Sequence, residues 1–283
     1  MSDDTPPLVV TGAASGIGRA LCHRLATRGQ PVISVDRDDL PDGVSSSAHH
    51  RCDLSDPHAV ADLIDALHDE HDLGRCAGVA NVAGLPGTLP ADVVLEVNLL
   101  AVRRLGRAFA ARLPSGATIT NVGSISGSGW AQRLDTHRQI LALDDDQARR
   151  WWADRAASVG VDPYSFSKEA VIVDSMLLAG ELFGTGIRCN VVSPGPVETP
   201  LLPTFREQIG DERLGWVIGH AGRAAEPDEI AQGIEWLAVG ESHWVNGHHL
   251  VIDGGYTSGL LSGWIDVASA PQPRQTYVAP GTN

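Results

Sequence analysis

Residues 8–18 read LVVTGAASGIG, and the amphipathic stretch RALCHRLATRG follows directly. A short apolar run that turns through glycines at 12, 16 and 18 into a helix has one physical use that stands out. It brings free backbone N–H groups at a helix start close to an anionic pyrophosphate. The pattern predicts a strand, a phosphate-binding turn and a helix, the opening unit of a dinucleotide-binding sheet.

Working outward, apolar runs of the same kind recur at 31–36 (PVISVD), 76–84 (CAGVANVAG), 117–123 (ATITNVG), 187–195 (IRCNVVSPG) and 249–255 (HLVIDGG). Runs apolar on both faces imply parallel strands buried on both sides. Helical patterns lie between them, as in PHAVADLIDALHDEH at 57–71. The repeated βα order predicts a single-domain α/β fold, a Rossmann-type doubly wound parallel sheet over residues 1–256. A tail at 257–283, rich in Gly, Ser and Pro, is expected either to pack on a neighbour or to stay mobile.

The second apolar run ends at Asp36. A carboxylate there accepts hydrogen bonds from an adenosine ribose diol and repels a 2′-phosphate, which favours NAD over NADP. Arg37 pulls the other way, since an arginine could hold that phosphate. With 283 residues, 43% of them hydrophobic, the chain has material for one large core. A formal charge of -14 argues against nucleic-acid or anionic-membrane partners. Cys22, Cys52, Cys76 and Cys189 form no CxxC pair, so neither a zinc site nor a disulfide framework is expected. The polar, acidic start MSDDTPP and the lack of a long apolar run predict a cytoplasmic protein with no membrane anchor.

DPYSFSKEA, at 162–170, contains the only lysine of the chain, Lys168, one helical turn after Tyr164. An ammonium beside a phenol favours the phenolate, and Asp162-Pro163 as helix cap and first residue would add the helix dipole. Lysine differs from arginine here by being a compact charge with three rotatable donors.

TGxxxGxG, the acidic residue closing the second strand, NVAG at 81–84, Ser124 after the fifth strand, YxxxK, PGPVET at 194–199 and the closing DGG together resemble the classical short-chain dehydrogenase/reductase family. The resemblance spans about residues 8 to 256. It implies a catalytic tetrad of Asn98, Ser124, Tyr164 and Lys168. Tyr164 would be the general acid/base, Ser124 would orient the substrate oxygen, Lys168 would lower the tyrosine pKa and hold the nicotinamide ribose, and Asn98 would position a proton-relay water.

The same resemblance places NAD on Gly12, Ser15, Gly16, Ile17, Gly18 and Asp36, then on Asp53, Leu54, Asn81, Ala83 and Gly84. Tyr164, Lys168, Pro194, Gly195, Val197 and Thr199 complete that set. NVAG stands where NNAG is commoner, and GS where SS is usual, but Asn81 and Ser124 remain.

Ser124 and Tyr164 are about forty residues apart, where the family needs about a dozen, so 127–161 is an insertion. Within it DDDQARRWWADRAASVG reads as a capped helix with Trp151 and Trp152 at helical spacing. These tryptophans either anchor the helix on the domain or touch substrate, and the insertion is expected over the rim of the active site. A long insertion at this place resembles the subgroup around bacterial 3α-hydroxysteroid dehydrogenase/carbonyl reductase and coniferyl-alcohol dehydrogenase-like proteins.

Residues 200–222 would be the family's substrate lid. Leu201, Phe205 and Trp216 on it suggest a hydrophobic alcohol or ketone as partner. The expected function is an NAD-dependent oxidoreductase acting on a cyclic, steroid-like or terpenoid secondary alcohol. The alternatives are an aryl primary-alcohol dehydrogenase of the coniferyl type and a non-catalytic NAD-binding regulator. A homodimer or homotetramer is expected, using at least the surface around residues 226–250.

Overall fold

A computed structural model describes residues 5–272. Seven strands form one parallel sheet in the order β3-β2-β1-β4-β5-β6-β7. They are β1 (Leu8–Thr11), β2 (Val32–Asp36), β3 (Ala48–Arg51), β4 (Gly78–Asn81), β5 (Thr118–Val122), β6 (Arg188–Pro194) and β7 (His249–Ile252). The chain doubles back between β1 and β4, so a crevice opens at their carboxyl ends, where Thr11 pairs with Asn81.

Alternation along the buried strands splits the core into two layers. Val9, Val79, Ile119 and Cys189 face α2 (Pro57–His71), α4 (Val102–Ala110) and the end of α7 (Pro163–Glu181). Leu8, Val10, Ala80 and Val192 face α1 (Gly16–Thr27) and α10 (Pro227–Ala238). Burial of such side chains stabilises by roughly 1.5–3 kcal/mol each.

The third strand is the exception: AHHR is half-buried and has no apolar signature. It is the sheet edge, paired only with β2, from Ile33↔Ala48 to Asp36↔Arg51. Short polar strands suit edges, where one side meets water.

Between β5 and α7 the chain forms a 3-10 stretch (Ile125–Arg133), α5 (Leu134–Leu141) and α6 (Asp145–Arg155). Asp144 caps α6 in a capping box with Gln147, as the acidic run predicts. Two helices therefore fill an insertion in which sequence periodicity indicates one. They pack on the back of α7, with Ile140, Leu141, Ala148 and Trp152 against Phe166 and Ala170.

The remaining helices surround the mouth of the crevice. They are α3 (Ala91–Leu95), α8 (Leu202–Ile209), α9 (Asp211–Ala221) and α11 (Tyr256–Ser262). The first part of the expected tail is thus ordered: Tyr256 and Ile265 pack against Val217. Residues 273–283 of that tail lie outside the described residues.

Candidate active site

A cleft of about 1160 Å³ runs along the carboxyl ends of β1, β2, β4, β5 and β6. Its first arm is built mainly from backbone. Gly12 has φ +72°, and a Cβ on it would come within 2.8 Å of the Ala83 nitrogen, so only glycine lets the turn meet the segment after β4. A Cβ on Gly18 would overlap the Gly12 carbonyl. Ser15 starts α1 without a side-chain cap, and no acidic residue lies in the first turn. The N–H groups there are open to an anion and favoured by the helix dipole.

Asp36 ends β2 in the wall of this arm, its carboxylate accepting from Ala14 N at 2.9 Å and Asp38 N at 3.1 Å. Asp53 accepts from Ser55 N at 2.9 Å and from the Ser55 hydroxyl at 2.8 Å, which hold its carboxyl below the usual range. Leu54, Ala83, Gly84, Pro194, Gly195, Val197 and Thr199 line the same cleft, as do Ser15, Gly16 and Ile17. Asn81 does not. It is buried beneath the floor, donating to Asn121 Oδ1 at 2.8 Å, and Asn121 in turn donates to Ser175 at 2.9 Å. The place of Asn81 is to tie β4 to β5 and α7 rather than to face the cleft.

The second arm meets the first at Ser124, Tyr164 and Lys168. Asp162 caps α7, accepting from Ser165 N at 3.1 Å, with Pro163 as the first helical residue. The cap puts Tyr164 in the first turn, with Lys168 one turn later on the same face. Ser124 lies just past the end of β5, its oxygen accepting from Ser126 N at 3.1 Å.

Burial pushes the Tyr164 phenol up to about 12, against its hydrogen bond with Ser124, and Asp162 adds to the rise. Burial also pushes Lys168 down to about 8. The ammonium donates to Val122 O at 2.9 Å and stands 5.8 Å from the centre of the Tyr164 ring. Desolvation is thus the larger effect on the phenol in this environment, and any lowering by the Lys168 ammonium works against it.

Asn98 sits in a π-helical stretch, Glu96–Ala101, between α3 and α4, a local widening found often at functional sites. It does not face the cleft. Its Oδ1 accepts from Leu85 N at 2.8 Å, and its amide donates to Leu85 O at 3.0 Å and to Ser167 at 3.2 Å. With both amide hydrogens committed, the side chain fixes the Gly84-Leu85 turn beside Lys168.

The far wall is apolar. Leu85, Leu89, Val93, Ile125, Leu201, Leu202 and Phe205 line it, with Leu214 and Val217 of α9 and Tyr256 and Leu260 of α11. Phe205 stacks at a tilt on Tyr164, with ring centres 5.1 Å apart, and Gln208 donates to the cap Asp162 at 3.4 Å. The start of the expected lid, α8, thus touches the first turn of α7 directly.

Trp151, Trp152 and Trp216 do not line the cleft. Trp152 is buried against Phe166 and donates to Ala91 O at 3.2 Å, while Trp151 stacks on the same Phe166 at 6.0 Å. Trp216 packs edge-on to Tyr256 and donates to Ser269. The first two anchor the insertion on the outer side of α7, so its helices do not cover the rim. Sequence reasoning missed Arg213, Tyr256 and Leu260, because the contribution of α11 follows from its docking on α9, where Arg213 donates to Pro271 O at 2.7 Å. No helix among the described residues is long and apolar enough to cross a membrane.

This geometry has known counterparts. A short chain dehydrogenase model matches residues 7–133, and an enoyl-(acyl carrier protein) reductase model matches residues 147–257. The unmatched stretch between them is α5 and the start of α6. The chain is 35% identical to a coniferyl-alcohol dehydrogenase of Pseudomonas sp. (strain HR199 / DSM 7063), over 89% of this chain and 96% of that one. It is 30% identical to a 3-alpha-hydroxysteroid dehydrogenase/carbonyl reductase of Comamonas testosteroni, over 88% and 95%. The crystal structure of a 3-alpha-hydroxysteroid dehydrogenase from Pseudomonas sp. B-0831 complexed with NADH superposes with a TM-score of 0.77 at 30% identity, over 92% of this chain and 100% of that one. With these matches over nearly its whole length, the chain belongs to the short-chain dehydrogenase/reductase family of oxidoreductases.

Proposed function

We propose that the protein is an NAD-dependent oxidoreductase that interconverts a hydrophobic, cyclic secondary alcohol, steroid-like or terpenoid, and its ketone. The observation that carries this reading is the meeting of Ser124, Tyr164 and Lys168 with a largely apolar cavity wall, in which Gln208 and Arg213 are polar exceptions. A largely apolar pocket with a few convergent polar groups binds a hydrophobic substrate and fixes one reactive oxygen in it.

The first arm suits a nicotinamide dinucleotide: the uncapped start of α1 for the pyrophosphate, Asp36 for the adenosine ribose, Asp53 and Leu54 beside the base. Asp36 favours NAD over its 2′-phosphorylated form. Bound there, the cofactor supplies or accepts the hydride.

The chain manages the proton. In ketone reduction the Tyr164 hydroxyl, still protonated at neutral pH, donates to the carbonyl oxygen as negative charge develops on it. The Ser124 hydroxyl donates to the same oxygen and orients it. Lys168, largely protonated below pH 8, then stabilises the phenolate left behind. In alcohol oxidation the proton moves the other way, and the phenolate form is required first. The two groups titrate as a pair, so ketone reduction is expected to fall and alcohol oxidation to rise as pH increases through their apparent pKa values.

A second reading is supported by Phe205, whose ring faces Tyr164 and would flank a planar aromatic substrate. It makes the protein an aryl primary-alcohol dehydrogenase, in keeping with its likeness to the Pseudomonas coniferyl-alcohol enzyme. A homo-oligomer is proposed through α10 and β7, where Trp236 and Trp244 are exposed beside Leu250. The insertion covers α4 and α7 instead. Four buried, free cysteines suit a reducing cytoplasm.

The test follows reduced-nicotinamide absorbance with NAD or NADP and a panel of 3α-hydroxysteroids, cyclic terpene alcohols and cinnamyl-type alcohols. Turnover of cyclic secondary alcohols with NAD is the expected result. Turnover confined to cinnamyl-type alcohols would favour the second reading. NAD binding with no turnover of any alcohol would overturn both in favour of a non-catalytic regulator.

A further inference from the structure

At the opposite edge of the sheet from β7, three side chains converge that play no part in the cleft. His50 lies in β3, and Glu70 and His71 are the last two residues of α2. The two imidazoles meet through Nε2 atoms 2.8 Å apart, with their rings perpendicular. Glu70 Oε2 stands 4.0 Å from the first nitrogen and 3.9 Å from the second.

Those three separations define a nearly isosceles triangle. The point equidistant from corners 2.8, 4.0 and 3.9 Å apart lies about 2.1 Å from each. Zinc–nitrogen bonds are about 2.0–2.1 Å and zinc–carboxylate bonds about 2.0–2.2 Å.

A simple N–H···N hydrogen bond between the histidines accounts for the first distance but not for the other two. The carboxylate oxygen is too far from either nitrogen to be bonded to it, yet equally far from both, as a third ligand around a shared centre would be. Both histidines are largely buried, while the Glu70 side chain is 60% exposed and free to adjust. Its exposed side leaves room for a water as fourth ligand.

We propose that His50, Glu70 and His71 form a binding site for a borderline divalent cation of the zinc class, with two imidazoles, one carboxylate and an open position for water. The site is independent of the proposed substrate. Its place in the fold gives it a consequence: β3 and α2 are joined by the segment that carries Cys52, Asp53 and Leu54 into the cleft. An ion there clasps the two ends of this βα unit together and braces its loop against the adenosine end of the cofactor arm.

The experiment uses untagged, chelator-treated full-length protein titrated with Zn²⁺ against a chromophoric indicator at neutral pH. A parallel titration uses Co²⁺, whose visible bands report its coordination. One tight equivalent is expected, with visible cobalt bands that saturate at the same stoichiometry and a raised melting temperature on zinc addition. His71→Gln and Glu70→Gln, both at a partly exposed helix end, should weaken that equivalent by at least the about 10–100-fold that loss of an outer-shell partner costs. Equal zinc uptake by the wild type and His71→Gln, or no tight equivalent in the wild type, would overturn the proposal and leave a plain imidazole hydrogen bond.

Discussion

Lys168 and Glu169 are neighbours on one helix, both buried, and their side chains diverge by about 100° around its axis. Lys168 looks into the cleft and donates to a main-chain carbonyl, that of Val122. Glu169 looks outward into the insertion, where Arg133 and His137 both donate to it. Burial pushes the Glu169 carboxyl up, and its two partners more than reverse the effect, holding it below the usual range. Lys168, without a carboxylate, stays displaced to about 8. A buried charge that serves the fold is neutralised by partners, whereas one that serves chemistry is left at a cost in stability so that it can act on a neighbour.

The largest effect should come from the cleft side. Replacing Tyr164 with Phe keeps the ring that packs on Phe205 and removes only the acid/base, so turnover should fall by about 10²–10⁴-fold or more, with cofactor binding and melting temperature unchanged. Steady-state kinetics beside NAD titration check this. Retained turnover would remove Tyr164 from the reaction.

On the other side the loss should be of stability. Glu169→Ala leaves Arg133 and the fully buried His137 facing each other without a carboxylate, at an expected cost of about 3–5 kcal/mol in urea unfolding. The folded fraction should keep its kcat, since Glu169 does not line the cleft. A large fall in kcat per folded molecule would mean that the insertion tunes the catalytic face through α7.

The two sides also differ in how far sequence alone reveals them. Motifs built on fixed spacing are legible: the glycines after β1, Asp36 at a strand end, and the Tyr164–Lys168 turn with its Asp162 cap all occupy the places their residue types require. What depends on long-range docking is not. Nothing in AHHR marks an edge strand, because its stability comes from pairing with β2 rather than from its own pattern. Trp151 and Trp152 have helical spacing, but spacing does not say which surface they meet; Phe166 on α7 decides that. Asn81 and Asn98 match a motif that suggests contact with ligand, yet each spends its amide on neighbouring elements. Cysteine spacing says nothing of His50 and His71, which, 21 residues apart, come together only because α2 returns antiparallel to β3.

The smallest effect isolates the cost of Lys168 itself. Its pKa is about 8 in the fold and near 10.5 when exposed, so between those values the unfolded chain holds a proton that the folded chain has released. Unfolding then takes up a proton, and stability rises with pH across that window, whereas below about pH 8 both states are protonated and this contribution is flat. Lys168→Met, which removes the buried charge and keeps the stem, should be as stable as the wild type or more so at pH 7 and should lose turnover. The stability gap between the two proteins should narrow from pH 8 to pH 10. Denaturant unfolding of both proteins across this range checks the sign. A gap that widens with pH would mean that the ammonium is held in the fold more favourably than in water, making Lys168 a partnered structural charge like Glu169.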